Sequence, residues 1–480
     1  MNVTPSSMNH PRLRLLVAIA SFGEKNLGFL KKIIKGYRSM PIDVDVVVLS
    51  DAPKNLGSEV KVMVGMPSKD PWSLPFAHKP VLADNADKYD LFIYSEDDME
   101  VTERNIQAFL DITPQLAPTE IAGFLRYETN NSGTLSFPDM HGIYRWKPET
   151  VKRRGDCTIA EFTNEHAAFY ILTKEQLKQA IVSGGFLRLP TRGRYDMACT
   201  AATDPYTSCG FKKVVCISAW QDFVIHHMSN RYVGQFGLPL NSFKEQIQTL
   251  MEICGGIHPA SSLCGSESKL FYPKWSANYY EKPHDELLRA VPVDTKTILS
   301  IGCGWGAAEK RLQQRGVEVT ALPLDSIIGA AAARLGITVI YGTLNESLAS
   351  LEEQRFDCVL ISNLLHLQSN PEQILQRCCQ LVRMGGVLVV SSPNFDRIPV
   401  MLRRAFAVGD YSKLRNFSLG EISPCGINFM KQKLKQLGFR TDRVQWFDRM
   451  PPHKFAAIRK YLGRFAAADW VLKAHRSVLK

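Results

Sequence analysis

Long apolar runs are missing from this chain, since no stretch of 18 residues is both apolar and free of charge. A helix that crosses a bilayer needs about 20 such residues, so no helical membrane span is expected. The apolar run at 15–20 is short and lacks the small-residue cleavage site of an export signal. It reads as a buried strand, and the expected location is the cytoplasm. Paired cysteines are also missing. Eleven cysteines are scattered with no C-x-x-C spacing, and adjacent Cys378 and Cys379 fall in a helical pattern. That excludes a disulfide framework or a zinc site on spacing alone and leaves free, mostly buried thiols. Internal repeats and low-complexity tracts are absent as well. Acidic excess is lacking too, because the net charge is +11. Nucleic acid, an anionic membrane surface or a phosphate-bearing substrate would each suit that charge.

What is present is 480 residues, 45% hydrophobic and 22% charged. At about 100–200 residues per domain this predicts two or three domains. Strands alternate with helical stretches in two blocks, the pattern of α/β domains with largely parallel sheets. The expected fold class is therefore α/β with two Rossmann-like domains, at 12–233 and 279–480. Strands are expected at 15–20, 44–49, 91–94, 123–126, 167–172 and 214–217 in the first block. In the second they are expected at 297–301, 318–322, 338–341, 358–362, 387–391, 440–446 and 470–475. The stretch 234–278 between them is rich in turn residues and reads as a linker with a helical segment at 243–253.

In the second block the apolar run Thr297-Ile298-Leu299-Ser300-Ile301 leads directly into Gly302-Cys303-Gly304-Trp305-Gly306 and then a helix. Glycines there let a ligand approach the backbone, and the helix start offers unpaired N–H groups. The spacing departs from the dinucleotide pattern G-x-G-x-x-G, because residue 307 is Ala. Tyr279-Tyr280-Glu281 precedes the turn. Asp357 to His366 and the run Gly385-Gly386-Val387-Leu388-Val389-Val390-Ser391 follow it. In this order the landmarks resemble the class I S-adenosylmethionine-dependent methyltransferase family. The resemblance implies that Gly302, Cys303, Gly304 and Gly306 pass close to the donor and that Ser362 and Asn363 line the methyl face. It also places His366 where a base could take a proton from an acceptor hydroxyl; a structural histidine is the competing reading. The family's ribose-binding acid falls on Pro323, and Asp325, two residues on, is the substitute. The Asn/Asp-Pro-Pro-aromatic motif of nucleic-acid amino methyltransferases is replaced by Ser362-Asn363-Leu364-Leu365, which disfavours nucleic acid as partner.

In the first block a buried strand runs into Glu96-Asp97-Asp98. Crowded carboxylates repel unless a cation sits among them, although they also suit a helix start. With the strand and loop at 15–26, the strand ending in Ser50-Asp51 and the later His226-His227, this order resembles a GT-A glycosyltransferase. The resemblance implies a nucleotide-sugar donor, a divalent metal (Mn or Mg) held by Asp98 with His226 or His227, and nucleotide contacts from Asp51, Glu96 and Asp97. An inverting member would need a carboxylate base, for which Glu165, Asp196 and Asp222 are candidates, Glu165 preferred.

Together these readings point to a bifunctional enzyme that transfers a sugar and a methyl group to a glycan or lipid-linked glycan, such as a bacterial surface polysaccharide. Two alternatives stay open: a methyltransferase with a non-catalytic glycan-binding module, and a nucleic-acid methyltransferase. At 451–480 seven Lys/Arg stand against one Asp, and Phe455, Ile458, Leu462 and Phe465 share one helical face. Packing on its own domain is the favoured reading, and peripheral contact with an anionic membrane, at the inner face, is the other.

Overall fold

The computed structural model describes residues 13–270, 274–448 and 463–477. It divides into two compact units, Met1–Met140 with Lys152–Leu240, and His141–Val151 with Asn241–Lys480. The short stretch His141–Val151 therefore belongs to the second unit. The helix expected at 243–253 is Leu240–Cys254.

The first unit is built on a five-stranded sheet. Its order is Phe169–Thr173, Leu91–Glu96, Arg14–Ser21, Asp43–Ser50, Lys61–Val64. Arg14–Ser21 is buried at seven of its eight positions and pairs in parallel with both neighbours. A strand covered on both faces needs apolar residues at nearly every position, which is why this run lacks polar alternation. Phe169–Thr173 closes one edge antiparallel to Leu91–Glu96. Glu120–Ala122, Lys212–Cys216, Cys157–Glu161 and Lys152–Arg154 form a second sheet. A third contains Leu125–Thr129, Val224–His227 and Met99–Glu100. The expected strand at 123–126 thus becomes two, Glu120–Ala122 and Leu125–Thr129, parted at Gly123, where any Cβ would collide with the Lys213 side chain.

The second unit is a seven-stranded sheet in the order Thr338–Val339, Glu318–Pro323, Thr297–Cys303, Phe356–Ser362, Val382–Pro393, Asp469–Arg476, Phe439–Phe447. Numbered within the unit this is 3-2-1-4-5-7-6. The first five strands are parallel, and Asp469–Arg476 runs antiparallel to both of its neighbours. The central strands bury both faces, one in a cluster around Leu299, Ile301, Val359 and Trp470, the other around Ile298, Cys358, Leu360 and Val389. The expected last strand at 470–475 is present. Of the residues expected on the amphipathic tail helix, Phe455, Ile458 and Leu462 lie outside the described residues, and Phe465 sits in the short turn Gly463–Phe465. All eleven cysteines are free. Among the described residues no helix is long and apolar enough to cross a membrane.

The buried charge that most constrains the first unit is the Arg126–Asp139 pair. Asp139 accepts from Arg126 N at 2.8 Å, Nε at 2.9 Å and Nη2 at 2.6 Å. Burial works against the Asp139 carboxylate, but the Arg126 guanidinium holds it below its ordinary range. Removing one partner of a buried pair strands the other charge. Asp139→Asn is therefore expected to lower the stability of this unit by about 3 kcal/mol in urea unfolding followed by circular dichroism.

Candidate functional sites

In an open parallel sheet the ligand edge lies beyond the carboxyl ends of the strands, where the order reverses. In the second unit that place is the end of Thr297–Cys303. Gly302 has φ 87°, a left-handed conformation that favours glycine, and a Cβ there would lie 2.9 Å from the Ser362 carbonyl oxygen. At Gly304 a Cβ would lie 2.7 Å from the Tyr279 carbonyl oxygen. The backbone itself thus forms a cradle that any side chain would fill. Gly306 starts the helix Ala307–Gln313. Cys303 contributes only backbone to the turn, because its thiol is buried in the core and burial pushes its pKa far up.

Two polar atoms flank this turn. Leu324 N donates to Cys303 O at 2.9 Å, which sets Asp325 beside the turn. Asp325 Oδ1 caps the helix Ser326–Arg334 by accepting from Ile327 N at 2.9 Å and Ile328 N at 2.8 Å. Its Oδ2 is buried and has no hydrogen-bond partner among the described residues. Burial pushes the carboxyl up to about 6, opposed by Arg145 and the two backbone donors. On the other side, Asn363 follows Ser362 with φ 48°, held by Ser391 O and Ser391 Oγ, each 3.1 Å from its N–H. Its Oδ1 is likewise buried without a partner among the described residues. Strain and orphaned polar atoms of this kind concentrate at ligand sites. An acceptor oxygen on one flank suits ribose hydroxyls. The cradle and these two oxygens fit a nucleoside-bearing methyl donor.

Sequence reasoning did not find the support behind the turn. Tyr279 N donates to Gly142 O at 2.8 Å, and Trp305 N donates to Tyr279 O at 3.1 Å. Arg145 is buried, with its guanidinium 5.3 Å from the Tyr279 ring centre and 3.0 Å from Glu267. The segment His141–Val151 therefore braces the glycine turn through Tyr279. No local pattern marks it, because its partners lie more than a hundred residues away in sequence. His366 is buried and its Nε2 lies 2.6 Å from Trp275 O. That bond makes Nε2 the donor and fastens the ring, so a base role for His366 would fall to Nδ1.

In the first unit the antiparallel pairing His227↔Met99 carries His227 to the end of Leu91–Glu96. His227 Nε2 lies 3.1 Å from Asp98 Oδ2, and Nδ1 lies 2.6 Å from the buried Glu128 Oε1. Burial opposes charge on both partners, yet their mutual bond holds Asp98 below its ordinary range and His227 above its own. Burial, then the Asp98 carboxylate, pushes Glu96 up to about 8. Asp97 accepts from Asn26 Nδ2 at 2.7 Å, and Asp51 accepts from Gly23 N at 2.8 Å. Asp51, Glu96, Asp97, Asp98 and His227 are thus gathered near one sheet edge with the 21–26 loop. A ring held between two carboxylates in this way keeps its proton more readily than a free imidazole. Among the described residues no group of three or more His, Cys, Asp or Glu is placed to hold a metal alone.

The other expected residues have partners of their own. Strand alternation turns His226 away from Asp98, onto Glu100 at 3.4 Å, Asn230 at 3.2 Å and a stacked Tyr127 ring at 5.0 Å. Glu165 is bound by Tyr195 OH at 2.5 Å and Arg194 Nη1 at 3.2 Å. Asp196 caps the helix Met197–Thr207, and Asp222 pairs with Arg104.

The 3-2-1-4-5-7-6 sheet with its antiparallel seventh strand, bearing a glycine turn at the end of its first strand, is the class I S-adenosylmethionine-dependent methyltransferase fold. In agreement, the family described as methionine biosynthesis protein MetW matches 282–455. A ubiquinone biosynthesis O-methyltransferase of Azoarcus sp. is 33% identical over 104 residues, 21% of this chain and 45% of that protein. One from Nitrosomonas europaea is 30% identical over 141 residues, 26% of this chain and 60% of that protein. The chain spans about half the length of the curated relatives it matches. A solved S-adenosylmethionine-dependent methyltransferase from Archaeoglobus fulgidus is 17% identical, covers 38% of this chain and 86% of its own, and has a TM-score of 0.29.

Asp325 gives the site a pH signature. Its native value is raised above the usual carboxylate value near 3.9, so the folded state binds the proton more tightly than the unfolded chain. Its contribution to stability is present at low pH and is lost as pH rises from about 4 through 6. A ribose hydroxyl donates best to the ionised form, so affinity for S-adenosylhomocysteine should rise as pH climbs through about 6. Calorimetric titration should find that rise in the wild type and a weaker, flat profile in Asp325→Asn. Arg145→Ala should weaken the same binding roughly ten-fold while leaving a cooperative melt, with Arg145→Lys intermediate.

Proposed function

We propose that the second unit transfers a methyl group from S-adenosylmethionine to an oxygen of its acceptor. The observation that carries this reading is the pair of buried oxygens, Asp325 Oδ2 and Asn363 Oδ1, that have no hydrogen-bond partner among the described residues and flank a turn too tight for any side chain. S-adenosylmethionine supplies an electrophilic methyl on a sulfonium. The chain's own part is positional. Asp325 receives ribose hydroxyls, the glycine turn admits the donor against the backbone, and the Ser362–Asn363 bend borders the methyl. Holding donor and acceptor in line removes most of the entropy of their encounter. The likeness to ubiquinone biosynthesis O-methyltransferases supports oxygen as the accepting atom.

A second reading concerns the first unit, which we take as a GT-A-like sugar transferase using a nucleotide sugar. The gathering of Asp98 and His227, with Glu128 behind, at the end of a parallel strand supports it. Asp98 and His227 would hold a divalent cation that neutralises the donor's diphosphate, and Asp51 and Asp97 would border the nucleotide. Glu165 remains the preferred acceptor base for an inverting reaction. A glycan or lipid-linked glycan would then be the shared acceptor of both units, with no role for nucleic acid.

Ligands that bind the native state raise its melting temperature. Thermal-shift measurements should respond to S-adenosylhomocysteine alone, and to one nucleotide sugar only when Mn²⁺ is present. Asp98→Ala should abolish the second response and spare the first. Absence of any response to S-adenosylhomocysteine would sink the methyl-transfer reading. A nucleotide response indifferent to Mn²⁺ and to Asp98→Ala would sink the metal site.

A further inference from the structure

We propose that the helix Ile398–Ala405, with the turn that follows it, is a docking element that seats the methyl-transfer unit on an anionic lipid surface. The helix follows the strand Val382–Pro393, on the carboxyl side of the sheet where the glycine turn also lies. Ile398, Met401, Leu402, Ala405 and Phe406 stand at i, i+3, i+4, i+7 and i+8. That is the apolar stripe a surface helix normally turns into its core. Here it faces the solvent. Ile398 is 50% exposed, Met401 51%, Leu402 52% and Phe406 76%, followed by Val408 at 53%, while Val400 alone is buried within the helix. Every residue from 401 to 409 is exposed. Single exposed apolar side chains are ordinary, but a contiguous group of five marks a surface that something covers.

Charge decides what covers it. Arg397, Arg403 and Arg404 border the stripe, and Arg415 reaches Ala405 O at 3.4 Å at the end of the helix. Arg403 lies over the Tyr411 ring at 5.4 Å. The nearby acids are already paired, Asp410 with Lys413 at 2.7 Å and Asp396 with Arg464 at 3.2 Å. An apolar face rimmed by arginines matches an anionic bilayer, which takes the apolar side chains below its headgroups and the guanidinium groups among its phosphates. Arginine stems also let the charged ends reach outward while the face inserts. The helix emerges three residues beyond Phe395, whose buried ring contacts Trp275 at 4.8 Å and His366 at 5.9 Å. Docking through it would hold the ligand edge of the sheet close to the lipid, whatever the acceptor is.

The test is co-sedimentation of the full chain with vesicles of phosphatidylcholine, with and without phosphatidylglycerol. Binding is expected only to the anionic vesicles, weakening as salt is raised. Leu402→Glu with Phe406→Glu should lose at least roughly ten-fold in partitioning, and Arg403→Glu with Arg404→Glu should lose a similar amount. Both double variants should keep the wild-type circular dichroism spectrum and melting temperature. No binding of the wild type to anionic vesicles overturns the proposal, and so does equal binding by wild type and Leu402→Glu/Phe406→Glu. If that variant instead converts a dimer to a monomer in size-exclusion chromatography, a second copy of the chain covers the face and the membrane assignment fails. S-adenosylhomocysteine binding is measured on the same samples. Its absence alongside intact vesicle binding would count against the methyl-donor reading and leave the docking element standing.

Discussion

The second unit depends on one close approach of backbone to backbone. Gly302 and Gly304 pass so near the carbonyl oxygens of Ser362 and Tyr279 that no side chain fits between them. Beside that turn Asp325 and Asn363 each keep a buried oxygen with no hydrogen-bond partner among the described residues. The bracing of Tyr279 by Gly142 and Arg145 belongs to the same constraint. A turn this tight keeps its shape only if its contact partner is itself held. The brace comes from a segment that chain order assigns to the other half of the protein.

The first unit has a different governing problem, the crowding of carboxylates at a strand end. Glu96, Asp97 and Asp98 could not all be ionised and buried without a cation or donors nearby. The structure meets this with His227 on Asp98, Asn26 on Asp97 and a carboxyl at Glu96 that resists ionisation. Glu128 fixes the histidine's other nitrogen. Such an arrangement relieves the crowding with donors from the chain itself.

Much of the fold was legible in the sequence. The seven strands of the second unit stand near their expected places because long apolar runs between turn residues leave little choice of period. Asp325 and Asp98 were legible as candidates because each follows a strand directly. His226 was not separable from His227 by sequence, since strand alternation alone decides which of two adjacent histidines faces Asp98. His366 carried the right chemistry in the right order, and only the carbonyl of Trp275 reveals that one ring nitrogen is already committed.

What the sequence determined by itself was local: which segments become strands, where the glycines force a turn, and which acids stand at strand ends. These follow from periodicity and backbone freedom within a few residues. Tertiary structure decided which of those residues meet. Arg145 beside Tyr279, Glu128 behind His227, and the exposure of the Ile398–Ala405 stripe all depend on segments far apart in the chain. Their pairing is set by burial and sheet register, which no local pattern encodes.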